Sequence, residues 1–342
     1  MRYIESINQS LHNIMGINEK VIIVGEDILD PYGGAFKATK GLSTKFPERV
    51  ITTPISEASI LGFCTGLSLS GYIPILEIMF GDFITLCTDQ IINGVSKFKY
   101  MYGKNFNVPM VVRTPMGGRR GYGPTHSQTL ESLFLGTPGI KIIAPSNLHN
   151  PGELLNSVVL VESSLVLFIE NKMLYSEFIN TGSEKNSTYI NLYLDEVSIV
   201  NKYYPTIYAK IDQNYEPDVT VIGYGGMTPI ILDAMERIFI DEEIIVEFLI
   251  PSLIKPIPVA DLLPSVSKTN KIVICEEGVK TSGWGAELSC QIHESLNCST
   301  RVFIERIGSL EFPIPASKPL ENLVLPQVDD VIRAIKKVLF HN

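Results

Sequence analysis

Apolar residues recur at helical spacing near the start of the chain, where Ile4, Ile7, Leu11 and Ile14 fall on one face of a helix from Ile4 to Met15. Short unbroken apolar runs then follow one another at Val21 to Val24, Val50 to Thr53, Tyr72 to Phe80, Val108 to Arg113, Gly139 to Ala144 and Val166 to Glu170. Each has the length of a buried strand. Helices are predicted between them: from Glu57 to Gly71, as a long element from Phe83 to Tyr100, from Thr129 to Leu135, and from Asn150 to Val161. Strands alternating with helices at this rhythm predict an α/β fold with a mostly parallel, doubly wound sheet. From about Asn171 the chain turns polar and rich in Asn, Ser and Tyr, with a short strand at Val197 to Val200. A second α/β unit opens at Val219 with VTVIGYGG, then a helix from Met227 and strands at Ile244 to Leu249 and Lys271 to Cys275. A helix from Ala286 to Leu296, a strand from Arg301 to Glu305 and a closing helix from Val328 complete it. The predicted division is a domain over 1–175, a linker over 176–216 and a smaller domain over 217–342.

The length of 342 residues suits two domains, each with its own core, and 45% hydrophobic with 19% charged residues describes a globular chain. A net charge of −9 argues against nucleic acid or an anionic membrane as the main partner. The apolar stretch Gly62 to Phe80 is interrupted by glycines, Pro74, Glu77 and hydroxyls, so it reads as a buried helix and strand and not as a membrane span. Cys64, Cys87, Cys275, Cys290 and Cys298 are an odd number with no CxxC pair. With no basic-then-apolar leader pattern at the start, reduced thiols in a cytoplasmic protein are expected.

Glu57 stands out chemically. It opens a helix that is otherwise apolar or small, and reads as buried on all faces. A carboxylate there is favoured by the helix dipole, or it is a buried carboxyl group that hands a proton to a ligand. Glu26 and Asp27 follow a buried strand directly, at the edge where α/β folds place their sites, or in a solvated loop. Gly33-Gly34 allows close approach of backbone. PMGGRRGYGPTHSQ, Pro115 to Gln128, is too rich in glycine to be a packing element and gathers Arg119, Arg120 and His126 after a strand. Gly223-Tyr224-Gly225-Gly226 lacks the last glycine of a dinucleotide fingerprint and reads as a tight strand-to-helix turn.

Ordered blocks across the chain resemble the β subunit of the thiamine-diphosphate-dependent E1 component of 2-oxoacid dehydrogenase complexes, of the transketolase-like pyruvate and branched-chain type. They are VGEDI at 24–28, YGGAFKATKGL at 32–42, FPERV and TPISEASILG within 46–62, DFITLCTDQI at 82–91, VVRTPMGG at 111–118, and THSQTLESLF with TPGIKII within 125–143. VTVIGYGGM and EEGVKTSGWGAEL extend the likeness into the second half. The resemblance implies a pyrimidine-binding domain followed by a transketolase C-terminal-type domain. It implies thiamine diphosphate as cofactor and Glu57 as the carboxyl group that activates its aminopyrimidine. Phe83 matches the aromatic packed on the pyrimidine (a plain core Phe otherwise), Met79 would line the same pocket, and Glu26 matches an acid behind the cofactor. His126 matches the histidine near the bound 2-oxoacid and the incoming acyl acceptor.

Such enzymes hold Mg²⁺ and the diphosphate with a Gly-Asp-Gly and a later Asn, and this chain has Gly81-Asp82-Phe83 but no Gly-Asp-Gly. The resemblance therefore implies an α subunit carrying the metal–diphosphate end, in an α2β2 assembly, and a lipoyl-bearing acyltransferase as the acyl acceptor. Glu162-Ser163-Ser164 departs from the Asp/Asn loop through which some relatives hold potassium, so no ion is expected there. Two other readings are the C-terminal-half subunit of a split transketolase-like or acyl-joining enzyme, and a non-catalytic scaffold of the same fold.

Overall fold

Val21–Gly25 is apolar throughout and buried throughout, as a central strand covered on both faces has to be. In the computed structural model, which describes residues 1–103, 106–180, 184–186, 191–211, 214–296 and 301–340, this strand is β1. It is followed by β2 (Val50–Thr52), β3 (Ile73–Glu77), β4 (Met110–Met116), β5 (Lys141–Ile143) and β6 (Leu165–Asn171). These run parallel in the order β5-β6-β4-β3-β1-β2. Helix Tyr3–Ile17 buries Ile7, Leu11 and Ile14 on one side of the sheet, as its spacing predicts. The other side is covered by helix Glu57–Leu69 and the Gly81–Cys87 segment.

The polar stretch contributes strands of its own: β7 (Glu184–Asn186), β8 (Asn191–Val197) and β9 (Thr206–Lys210). They form an antiparallel edge on a second sheet whose other members are β10 (Val219–Gly223), β11 (Val246–Pro251), β13 (Lys271–Val279) and β14 (Phe303–Ser309). The order is β14-β13-β10-β11-β9-β8-β7, with β14, β13, β10 and β11 parallel. The intervening strand, β12 (Leu253–Lys255), leaves this sheet and pairs antiparallel with β5 of the first. Its neighbour Ser252 accepts the Ala144 N–H at 2.8 Å. One apolar cluster joins Leu76, Val112 and Leu167 of the first half to Leu249, Ile254 and Trp284 of the second. The molecule is thus two α/β layers with mostly parallel sheets, stitched by a strand and a shared core.

The structure corrects several local expectations. Glu57–Leu69 is not buried all round: Phe63 is 47% exposed, Leu69 41% and the preceding Ile55 79%. Gly62 and Gly66 on the same helix face open space. The apolar run that follows Gly62 divides at Gly71 (φ +92°) into helix and β3. Among the described residues, no helix is long and apolar enough to cross a membrane. The long helix expected from Phe83 breaks into a 3-10 segment Gly81–Cys87, a π turn Gln90–Gly94, a 3-10 turn Val95–Lys97 and a short helix Phe98–Tyr102. Gly94 (ψ −102°) lies outside the helical basin, and Ser96 bonds back to the Ile92 carbonyl at 3.0 Å, competing with the regular ladder. Thr129 to Leu135 supplies only the 3-10 turn Glu131–Phe134, whose Glu131 side chain turns inward and accepts the Tyr224 hydroxyl. Cys64, Cys87 and Cys275 are buried free thiols and Cys290 is exposed; Cys298 lies outside the described residues.

Candidate active site

The ends of β1 and β2 place two carboxyl groups together. β1 stops at Gly25, and Glu26 follows with its side chain buried and Oε1 without a hydrogen-bond partner among the described residues. The Gly25 carbonyl accepts the Thr53 N–H at 3.0 Å, which fixes the turn that leads through Pro54 to Ser56 and into the helix beginning at Glu57. Glu57 is 6% exposed. Burial, then the neighbouring Glu57 charge, pushes Glu26 above the ordinary carboxylate range, while the Ser56 backbone N–H pulls the other way. Cys87 closes the same corner: burial, Glu57 and Glu26 raise its thiol to about 12, so it is a neutral wall and not a nucleophile.

A wall of rings stands at the same edge of the sheet. After β3, Met79 is half-buried and Phe80 begins the turn into Gly81–Cys87, which packs against the Glu57 helix. The His126 ring lies edge-on to Phe80 (4.7 Å between centroids) and to Phe83 (5.2 Å). Phe36 and Tyr122 meet Phe80 at 5.5 Å and 5.8 Å. His126 Nδ1 is 3.0 Å from the Thr125 hydroxyl.

The loop that presents His126 is pinned from both halves of the chain. Gly118 donates its N–H to Glu277 Oε1 at 2.6 Å, and Arg119 its N–H to Glu321 Oε1 at 2.6 Å. The Gln128 amide donates to Asp82 Oδ1 at 2.7 Å. Gly117 has to be glycine here: its φ is +93°, and a Cβ would stand 2.4 Å from Asn171 Nδ2. Asn171 in turn donates to Glu277 Oε2 at 3.1 Å. Lys172 is buried beside this network, its ammonium 5.5 Å from the Phe80 centroid. Burial lowers Lys172 to about 8, against the opposing pull of the Asp82 and Glu277 charges.

Among the sequence-predicted residues, the structure therefore brings Glu57 to Glu26 and Phe83 to His126, on elements that pack together, with Met79 one position before Phe80. Phe80, Phe36, Tyr122, Lys172 and Glu277 escaped sequence reasoning. An acid between two aromatics, as in Phe80-Gly81-Asp82-Phe83, was the available signal for part of this group. The Gly223 to Gly226 turn leads into helix Thr228–Glu242, and Gly226 backs onto Asn171. Glu162 is engaged by Lys141 at 2.6 Å and by the Tyr204 hydroxyl at 2.9 Å.

Comparison with known proteins identifies the family of both halves of the chain. Residues 1–177 match the transketolase pyrimidine-binding domain family, and residues 207–331 match the transketolase C-terminal domain family. The chain is 32% identical over 339 residues to the mitochondrial pyruvate dehydrogenase E1 component subunit beta-1 of Arabidopsis thaliana, covering 99% of this chain and 89% of that protein. It is 34% identical over 341 residues to the pyruvate dehydrogenase E1 component subunit beta of Cyanidium caldarium, covering 98% and 97%. A solved structure described as a split-gene transketolase, inactive beta4 tetramer, superposes with a TM-score of 0.73 over 99% of this chain and 98% of that one; at 18% identity it shows the fold alone. On these matches the chain belongs to the transketolase-like family whose curated relatives are pyruvate dehydrogenase E1 β subunits.

Proposed function

We propose that this chain is the β-type subunit of a thiamine-diphosphate-dependent 2-oxoacid dehydrogenase, with Glu57 activating the aminopyrimidine end of the cofactor. The observation that carries the reading is the buried Glu57–Glu26 pair beside the Phe83–His126 wall, with Glu26 Oε1 partnerless among the described residues. That donor set fits a flat, nitrogen-bearing heterocycle: a carboxyl group for a ring nitrogen and aromatic and thioether surface for its face. When bound, thiamine diphosphate supplies the carbon nucleophile and the electron sink for loss of carbon dioxide.

Glu57 holds a proton at the pyrimidine ring nitrogen, from a rigid helix start where its carboxyl group is screened from water. Glu26, pushed toward its neutral form, keeps a second full negative charge from building up beside it. Phe83 and Met79 would provide apolar surface to hold the ring. His126, oriented by Thr125, holds or delivers a proton during acyl transfer to a lipoyl or other acceptor.

The sequence has no Gly-Asp-Gly for Mg²⁺ and diphosphate, which supports their assignment to an α-type partner in an α2β2 enzyme. The exposed apolar face of the Glu57 helix, with Ile55, Phe63 and Leu69 beside the open Gly62 and Gly66, supports the same assembly. The test is reconstitution with that partner and parallel assay of 2-oxoacids and ketose phosphates. Thiamine-diphosphate-dependent decarboxylation of a 2-oxoacid is expected, and Glu57→Gln should lower kcat by roughly 10²–10⁴-fold with cofactor still bound. Turnover of ketose phosphates alone, or a fully active Glu57→Gln enzyme, would refute the reading.

A further inference from the structure

The loop that carries His126 also carries two arginines, and the fold uses them differently. Arg119 is a fastener: its N–H reaches Glu321 and its Nη2 donates to the Pro326 carbonyl at 2.6 Å. Arg120 is exposed, and among the described residues only its Nη1 has a hydrogen-bond partner, the Lys172 carbonyl at 3.3 Å. Its guanidinium carbon lies 6.0 Å from the centroid of Phe36. Phe36 touches Phe80, and Phe80 touches His126. A series of ring contacts therefore connects Arg120 through Phe36 and Phe80 to His126, with the Lys172 ammonium beside Phe80.

A guanidinium with unused donors, anchored by one bond and one ring, is built to receive a carboxylate or another oxyanion. In a chain of net charge −9 its position at this wall is selective and not part of a generally basic surface. The carboxylate that leaves as carbon dioxide is the wrong anion for it. That group loses its charge as the bond breaks, so a cation gripping it would stabilise the starting acid more than the transition state and slow the reaction.

We propose that Arg120 sets the substrate class of this site: it receives a second anionic group at the far end of a 2-oxoacid side chain, whose methylenes lie along Phe80 and Phe36. The proposal rests on the 2-oxoacid reading above and adds to it a terminally anionic substrate. A carboxylate and a phosphonate terminus share the required chemistry.

The experiment uses the assembled enzyme with 2-oxobutanoate and 2-oxohexanoate as neutral-ended acids, 2-oxoglutarate and 2-oxoadipate as carboxylate-ended ones, and 2-oxo-4-phosphonobutanoate as the phosphonate arm. A preference for anionic ends is expected, and Arg120→Gln should erase it through KM by about ten- to a hundredfold. Arg120→Lys should restore part of it, and the carboxylate and phosphonate arms rank the two termini. In parallel, phenylglyoxal modification of Arg120, followed by mass spectrometry, should be slowed by glutarate and not by butyrate. Equal use of neutral-ended acids, unchanged by Arg120→Gln and with no glutarate protection, overturns the proposal and leaves the 2-oxoacid reading standing. Protection by glutarate in an enzyme that turns over no 2-oxoacid keeps the anion site and refutes the activity.

Discussion

Gln128 donates its side-chain amide to Asp82 Oδ1 at 2.7 Å, and this bond ties the segment that presents Phe83 to the loop that presents His126. Asp82 is 6% exposed and its Oδ2 has no hydrogen-bond partner among the described residues, so the side chain is committed to this site at some cost in solvation. Asp82→Ala should remove the tie. Backbone amides over 117–128 are expected to exchange faster with deuterium, and kcat/KM of the assembled enzyme to fall about tenfold or more. Asp82→Asn keeps an acceptor oxygen and should be milder. Unchanged exchange in Asp82→Ala would show that other contacts hold the loop.

Beneath the site, Arg113 is enclosed between two carboxylates. It donates to Glu77 Oε2 at 2.9 Å and through Nε to Glu170 Oε1 at 2.7 Å, and the Tyr175 hydroxyl donates to Glu170 Oε2 at 2.7 Å. Arg113→Met leaves both acids buried without their cation, and should destabilise the fold by about 3–5 kcal/mol in urea unfolding. Replacing Glu77 and Glu170 by Gln in the same background should recover part of that loss. No recovery would place the damage in packing and not in charge.

Glu276 gives the stability a pH dependence of definite sign. Its carboxyl group is held up to about 8, first by burial and then by Glu131. Unfolded, it ionises near its ordinary value of about 4.3. Between these values the native protein keeps the proton and the unfolded chain releases it, so this contribution is complete below about pH 4.3 and is lost as pH rises through about 8. Denaturation at pH 5, 6.5 and 8 should show a shallower loss in Glu276→Gln than in the wild type. Parallel slopes in the two proteins would contradict this.

Gly226 and Asn171 meet where the two halves of the chain touch. A Cβ on Gly226 would stand 2.1 Å from Asn171 Nδ2, which itself donates to Glu277. Gly226→Ala should cost about 1–3 kcal/mol by overpacking. The same change in an Asn171→Ala background should cost clearly less, because the clash is gone, and a double-mutant cycle reads the coupling directly. Additive losses would mean that the backbone shifts instead.

Glu57, Glu26 and His126 stood out as candidates because each breaks the local pattern: an acid opening an apolar helix, an acid ending a strand, a histidine in a glycine-rich loop; Phe83 was singled out by the family resemblance alone. The parallel strands of both sheets were legible for a related reason, since buried parallel strands are short apolar runs and little else mimics them. What stayed hidden depends on partners distant in sequence. Phe36 and Tyr122 look like ordinary loop aromatics until the fold sets them on Phe80. Lys172 looks like a solvated residue after a strand until the second half covers it. The helix expected from Phe83 failed because Gly94 leaves the helical basin and the Ser96 hydroxyl bonds back to the Ile92 carbonyl, against the spacing of its apolar residues. Strands β8 and β9 went largely unread because an antiparallel edge with one open face carries no long apolar run.

The excursion of β12 has a bearing on how this protein can be handled. Leu253 and Lys255 close the margin of a sheet whose other members end some eighty positions earlier in the chain. A fragment cut at the polar join would keep every helix of its half yet leave Lys141–Ile143 with bare amide and carbonyl groups along its outer side, an invitation to pair with another molecule. Expressed alone, that fragment should clump, and a peptide spanning 250–256 should keep it dispersed.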